Sequence, residues 1–546
     1  MNRTVRLIVY VLACFLAYQI FAFVSQGSHP WVLYNADALN IPMLYESIVH
    51  SQGTFSDWTF PSTTYFFPDI SVYFLLGVVV KNRFLHVIAF GVVQILYFVF
   101  ILDVLGRIVT GNKRVSLFPL IALFSLALLS TGVLTNSLLI TLVVSNFHMG
   151  ATLMTFTLWA LLLSAIKKDH GWKKITLLVL AYATAWSDVT FLYDFLLPAL
   201  ATLILLGIVR QLPKRVAWQY SGILLLVIAL SQYFLHNNKP LRISAPPISL
   251  HANWQHVIYY VDSLRMLYQN NSILFCTLIA VILFGITTVL RHVLQRKPMN
   301  LCIVLLCASV LTFFIGSVVV SASDYMLTSA SDMLGRHLLS ILLFPVFLGV
   351  PAFVGYHHKN WQPSYSLIWL TLVGIILLSL GFGYRMHINN LVAYQPRFLR
   401  CLEILHHTKN LQNGISNYSD ARPTTFLNNG NFVTVAYDQK QNIPQLWLNT
   451  ISYYRHRHFN FIIWNQSIPN SPANRPSIQK VIGKAKAVYH CDKHTIWVYP
   501  RNGLDKLLAT ADYVHYGPFD FDTYGLYNRP HGYLLRAFPL PHQRSQ

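Results

Sequence analysis

The stretch "FFPDISVYFLLGVVVKNR", Phe66 to Arg83, decides how the chain is threaded through a bilayer. Between Asp69 and Lys81 lies an apolar run of eleven residues, and a helix that crosses a bilayer needs about 20. Whether this segment crosses sets the orientation of everything after it.

The chain around it has 546 residues, of which 54% are hydrophobic and 11% charged. A soluble domain carries about 25% charged residues, so this composition belongs to a membrane protein. Long apolar runs continue to about Tyr384, after which the sequence is mixed, polar and turn-rich. We therefore expect a membrane domain over 1–384 and a soluble α/β domain over 385–546. The net charge of +21 does not indicate nucleic acid, because no basic stripe with interleaved aromatics appears. The Lys and Arg residues of the membrane part sit in short loops between apolar runs, where they set orientation. The first run, Val5 to Val24, lacks an A-x-A-like cleavage site and reads as an anchor.

Apolar runs predict about eleven spans, near 5–24, 84–105, 115–135, 149–166, 175–187, 190–209, 217–235, 273–290, 300–320, 337–356 and 365–383. With the N-terminus inside, 16 of the 22 basic residues before Tyr384 face the cytoplasm. If the opening segment crossed as well, every later span would invert and only 8 of 22 would do so. The segment therefore does not cross. It reads as a juxtamembrane helix over 70–80 on the outer face, preceded by a long outer loop over 25–69, and the C-terminal domain lies outside.

This threading exposes an imbalance of acids. Asp37, Glu46, Asp57, Asp69, Asp188, Asp194, Asp262, Asp324 and Asp332 fall on or near the outer face, whereas Asp103 and Asp169 fall inside. Acids contribute little to orientation, so a chemical site on the outer surface is the expectation. Asp37, in a loop without Lys or Arg, is the candidate general base; as a structural residue it would cap the helix "ALNIPMLYESIV". Asp69 opens the short helix, where its charge suits the helix dipole. Asp188 precedes an apolar span and Asp194 enters it, and acids within a span are functional or paired. Asp332 and Arg336 stand four apart as an intrahelical ion pair, or Arg336 with His337 forms an oxyanion site. His148 in "SNFHMGA" reads as a core histidine. No metal-ligand spacing, Walker loop or G-x-S-x-G is present; a carboxylate cluster could hold a divalent cation, but nothing in the sequence requires one.

Three features together resemble the GT-C class of polyprenyl-phosphate-dependent membrane glycosyltransferases: the "NAD" of the first outer loop, the proline-bearing "FFPDISVYF", and the late "GRHLLSILLFP". The resemblance covers about two-thirds of the chain, and it is similar to a bacterial branch of the class. The chain departs from many relatives in having Asp37-Ala38 in place of paired acids, and Phe-Pro-Asp in place of His-Pro-Pro. The resemblance implies transfer of a sugar from a polyprenyl-phosphate donor to a glycan, lipid or protein acceptor at the outer face of the bacterial inner membrane, with no required cofactor. Asp37 would be the base, Asp69 and Asp188 would position acceptor or sugar, and Arg336 with His337 would receive the lipid phosphate near Asp332. A transporter or flippase of lipid-linked intermediates, and a non-catalytic envelope assembly protein, are the alternatives.

In the C-terminal domain, "RFLRCLEILHHTKNL" and "PQLWLNTISYYRH" read as helices, "FVTVAYD" and "FNFIIWN" as strands, and "KAVYHCDKHTIWVYP" as a strand pair. Cys401 and Cys491 are its only cysteines, and whether they bridge depends on a distance that sequence does not give.

Overall fold

The computed structural model describes residues 3–27, 29–51, 53–61, 63–111, 118–120, 123, 142–144, 148–237, 243–244, 254–270, 272–295, 300–322, 344–357, 385–428, 430–438, 443–445, 449–455, 457–465 and 482–508. It is mostly helical, and the chain divides into two compact units. One comprises 1–26, 65–237 and 247–387; the other comprises 27–64, 238–246 and 388–546.

The first unit is a helical bundle. Six of its described helices are long and apolar enough to cross a membrane: Arg6–Val24, Arg83–Thr110, Met149–Lys167, Lys214–Tyr233, Phe275–Leu294 and Leu301–Val320. Each coincides with an expected span. The expected spans near 175–187 and 190–209 are the helices Gly171–Ser187 and Leu192–Ile208, which are shorter. The span at 115–135 falls largely, and that at 365–383 wholly, outside the described residues; the described part of 337–356, from Phe344 on, is helical over Pro345–Gly349 and Val350–His357.

The opening segment forms a turn at 66–70 followed by a nine-residue helix, Ser71–Val79. At about 1.5 Å per residue it is too short to span. It doubles back at Lys81, where Asn82 caps the helix Arg83–Thr110 by accepting hydrogen bonds from the N–H groups of Phe84 and Leu85, both at 3.0 Å. His86 locks the hairpin from the other arm. Its ring stacks on Tyr73 with centroids 3.7 Å apart, and its Nε2 lies 2.7 Å from the Tyr73 carbonyl. The long helix ends at Gly111, whose φ of +66° is the left-handed terminus that glycine accepts without a Cβ penalty.

The two acids expected inside are each neutralised by bases from their own end of the bundle. Asp103 pairs with Arg107 at 2.8 Å and Arg6 at 3.8 Å, and Asp169 pairs with Lys174 at 2.8 Å.

The second unit joins the long first loop to the C-terminal region. Strand β1 (Trp58–Pro61) pairs in parallel with β2 (Ile243–Ser244) and antiparallel with a strand that precedes Ile451. The main sheet contains β3 (Asn413–Ser416), β4 (Thr434–Asp438), β5 (Ile443–Pro444), β7 (Phe459–Asn465), β8 (Ala487–Cys491) and β9 (His494–Val498), while β6 (Asn449–Thr450) is the partner of β1. Its order is β5-β4-β3-β7-β9-β8, with β4, β3 and β7 parallel and both edges antiparallel. The centre is buried: the interior strands β7 and β9 are covered almost throughout. Cys401, on helix Arg397–Lys409, bridges to Cys491 at the end of β8.

Two expectations for this unit need correction. The stretch "PQLWLNTISYYRH" is not a helix where it is described; it contains β6 and one 3-10 turn, Ile451–Tyr453. The β-branched Thr450 favours extended backbone, and pairing of Asn449 and Thr450 with β1 satisfies it. A helix not expected from sequence, Tyr418–Leu427, contains an internal Pro423. Asn417 caps it by accepting from the Asp420 N–H at 2.9 Å, and Pro423, in the interior, removes one helical hydrogen bond to the Ser419 carbonyl.

Candidate functional site

The expected site residues divide between the two units. Asp69 and Asp188 lie in the helical bundle and Asp37 in the sheet-containing unit. Asp332, Arg336 and His337 lie outside the described residues.

In the bundle, Asp69 and Asp188 come together with His148. Helix Gly171–Ser187 ends at Asp188, and the turn around Phe66–Asp69 docks on that end. The Tyr65 and Phe67 N–H groups donate to the Ser187 carbonyl and hydroxyl at 3.2 and 2.8 Å. Phe66 stacks on Trp186 at 5.4 Å. Asp188 is buried and well supplied with donors: His148 Nδ1 lies 2.9 and 2.8 Å from its two oxygens, and the Thr190 N–H and hydroxyl donate at 2.9 and 2.8 Å. His148 is therefore not a plain core histidine; its ring orientation is set by a carboxylate. Its φ of +65° places it just before the helix Met149–Lys167.

Asp69 sits against the first turn of that same helix. Its carboxylate occupies the space where a side chain on Gly150 would begin, since a Cβ there would overlap Oδ2 and lie 2.6 Å from Oδ1. The sequence placed the Asp69 charge at the start of its own helix, where the structure also has it; in addition its carboxylate lies at the start of a second helix, about 80 residues on. At the other end, Lys173 donates to the Ser164 and Lys168 carbonyls at 2.9 and 3.0 Å. An acid at the N-terminus and a cation at the C-terminus complement the helix dipole. Asp69 is only 3% exposed, and its Oδ1 makes no hydrogen bond among the described residues. Burial pushes its carboxyl well above the usual range, the Asp188 charge pushes it further, and the N–H groups of Asp69 and Gly150 pull against both. Among the described residues neither Asp69 nor Asp188 pairs with Lys or Arg, in contrast to Asp103 and Asp169.

In the other unit, Asp37 lies on a loop shaped by Asn35. The Asn35 side chain accepts from the N–H groups of Asp37 and Ala38 at 3.0 and 2.9 Å and donates to the Val32 carbonyl at 2.7 Å. This Asx turn precedes the helix Asn40–His50, whose first position follows Leu39 without any side-chain cap. Asp37 is therefore not a cap; its carboxylate is used elsewhere. The Tyr418 hydroxyl donates to Asp37 Oδ1 at 2.9 Å. One turn along the same helix face, Arg422 Nη1 donates to the Ala36 carbonyl at 2.9 Å and to the Tyr418 oxygen at 3.3 Å. Asp37 is half-buried between buried Ala36 and Ala38. Tyr418 and Arg422 were not among the residues that sequence singled out. "NYSDARPTTF" carries no motif, and only the fold brings it to the loop.

Among the described residues no group of three or more His, Cys, Asp or Glu side chains is arranged to hold a metal ion. In comparisons with known proteins, no family model matches the chain and no curated protein is similar to it at a significant level.

Proposed function

We propose that the chain is a glycosyltransferase of the bacterial inner membrane, acting at the outer face on a sugar carried by polyprenyl phosphate. About eleven spans, an inside N-terminus and an extracytoplasmic C-terminal domain belong to the same reading. In the reaction an acceptor hydroxyl, on a glycan, lipid or protein, attacks the anomeric carbon. The acceptor O–C bond forms as the bond from carbon to the phosphate oxygen breaks. Polyprenyl phosphate leaves with the electron pair, and Asp37 takes the acceptor proton.

The observation that carries this reading is the accessibility of Asp37. Of the three described candidate acids, Asp69 and Asp188 are 3% and 2% exposed, whereas Asp37 is half-buried and held by a tyrosine hydroxyl. A general base must reach the proton it removes. Asp69 and Asp188 then serve the scaffold, one at a helix terminus and one orienting His148.

The test is release of polyprenyl phosphate from a panel of radiolabelled polyprenyl-phosphate sugars, by purified protein in lipid, with envelope extract as acceptor. Loss of general-base catalysis lowers rates by about 10²–10⁴-fold, and Asp37→Asn is expected to fall in that range with an unchanged melting temperature. No release from any donor by folded wild-type protein refutes the reading.

Transport of a lipid-linked intermediate is the second reading, favoured by the buried Asp69–Asp188–His148 cluster, since such acids carry protons in pumps and transporters. It predicts substrate movement across vesicles that depends on Asp69 and not on Asp37.

A further inference from the structure

Arg422 is 1% exposed, the most buried cation of the described residues. Its five N–H donors are unevenly used. Nη1 is committed to the Ala36 carbonyl and the Tyr418 oxygen, and the guanidinium lies over the Tyr418 ring with its carbon 5.0 Å from the centroid. Nε and Nη2 are buried and make no hydrogen bond among the described residues. These two nitrogens form the side-on fork of a guanidinium, the edge whose parallel N–H bonds match the two oxygens of a carboxylate or phosphate.

A buried charge with an empty fork is costly. Leaving a buried donor unsatisfied forfeits its hydration without compensation, and more so for a charged group. The fold nonetheless fixes this guanidinium in place through the Ala36 carbonyl, the Tyr418 oxygen and the Tyr418 ring, so the fork is held rigid and oriented before any partner arrives. Tyr453, whose hydroxyl burial pushes up to about 12, feels Arg422 and Arg457 on one side and Glu46 on the other. Asp37 is reached through the Tyr418 hydroxyl, which already bridges the acid and the cation.

We infer that the Nε/Nη2 edge of Arg422 is a binding site for a substrate oxyanion, beside the loop that carries Asp37. The ligand is a phosphate or carboxylate group offering two oxygens to the fork. Its two sources are the phosphate of a lipid-linked sugar and the carboxylate of an acidic sugar. The site stands on the geometry of this unit, and only its identification with a substrate rests on the glycosyl-transfer reading. In this structure the fork is closed over, so binding requires a local opening of the side chains that cover it.

The experiment is thermal unfolding of the full-length protein in detergent, titrated with inorganic phosphate, pyrophosphate, glucuronate and polyprenyl phosphate, each against chloride at matched ionic strength. Wild type is expected to be stabilised in a saturable way by at least one of these anions, and Arg422→Lys, which keeps the charge and loses the fork, to bind it at least about tenfold more weakly. Loss of one charge-assisted hydrogen bond, about 1.5–3 kcal/mol, corresponds to that factor or more. Selective stabilisation by glucuronate names the carboxylate source, and by polyprenyl phosphate the lipid source. Equal stabilisation by chloride, or equal affinity in Arg422→Lys, overturns the site. If Arg422→Lys does not fold, a density map of wild type with the stabilising anion decides: density bridging Nε and Nη2 supports the site, and density elsewhere overturns it. Anion binding at Arg422 without sugar transfer leaves the site standing and refutes the transferase; transfer without such binding does the reverse.

Discussion

Replacing Gly150 with alanine tests whether Asp69 is built into the start of the helix Met149–Lys167. Elsewhere in a helix this change helps, because alanine is favoured over glycine by about 1 kcal/mol. At Gly150 the new methyl would overlap Asp69 Oδ2 and sit 2.5 Å from Cγ and 2.6 Å from Oδ1. The obstacle is a short carboxylate, itself buried, next to a turn anchored on Ser187, so it has little room to retreat. Forcing it out costs about 1–3 kcal/mol in overpacking and up to about 2 kcal/mol in lost helix-terminus electrostatics. After the gain of about 1 kcal/mol in propensity, the balance runs from about zero to a net destabilisation of about 4 kcal/mol. Gly222 is the internal control. It lies in the helix Lys214–Asn237, and a methyl added there would meet nothing within 4 Å. Gly222→Ala is therefore expected to be neutral or stabilising by up to about 1 kcal/mol. Thermal and denaturant unfolding of both variants in the same detergent measures the contrast. If Gly150→Ala is as stable as Gly222→Ala, the Asp69 carboxylate does not occupy that space and the assigned role at this terminus is wrong.

Three further outcomes follow from the same geometry. Asp69 has a folded-state value raised above its ordinary 3.8, so its contribution to stability is fully present below about pH 4 and is lost as pH rises through the raised value. The difference in melting temperature between Asp69→Asn and wild type should therefore move in favour of the variant from about pH 4 to 8; a difference independent of pH refutes this. His148→Ala removes the ring that meets Asp188 through Nδ1, and a buried acceptor deprived of a partner costs about 1–3 kcal/mol. Circular dichroism melts check it, and an unchanged melting temperature contradicts the assigned pairing. The Cys401–Cys491 bridge closes a separation of 90 residues, and its loss in the double serine variant should cost the sheet-containing unit about 2–4 kcal/mol. Urea titration followed by tryptophan fluorescence would show an unchanged midpoint if the bridge contributes nothing.

Membrane character, the six long helices and the short length of the segment at 70–80 were all legible in the amino-acid order. Apolar run length is a local property, and a bilayer reads it directly. The strands at 434–438 and 459–465 and the hairpin ending at Val498 were legible too, because alternation and bulky β-branched residues suffice there. Which residues meet was not. Asp69 acts on a helix that begins at Met149, His148 finds Asp188 across 40 residues, and Tyr418 with Arg422 reaches a loop more than 380 residues earlier. None of these pairs has a spacing rule. A carboxylate written before an apolar helix carries the same pattern whether it serves that helix or another, and an arginine inside "SDARPT" looks solvent-facing until the packing buries it. Charge and hydrophobicity are properties of residues, whereas satisfaction of a buried charge is a property of the fold around it.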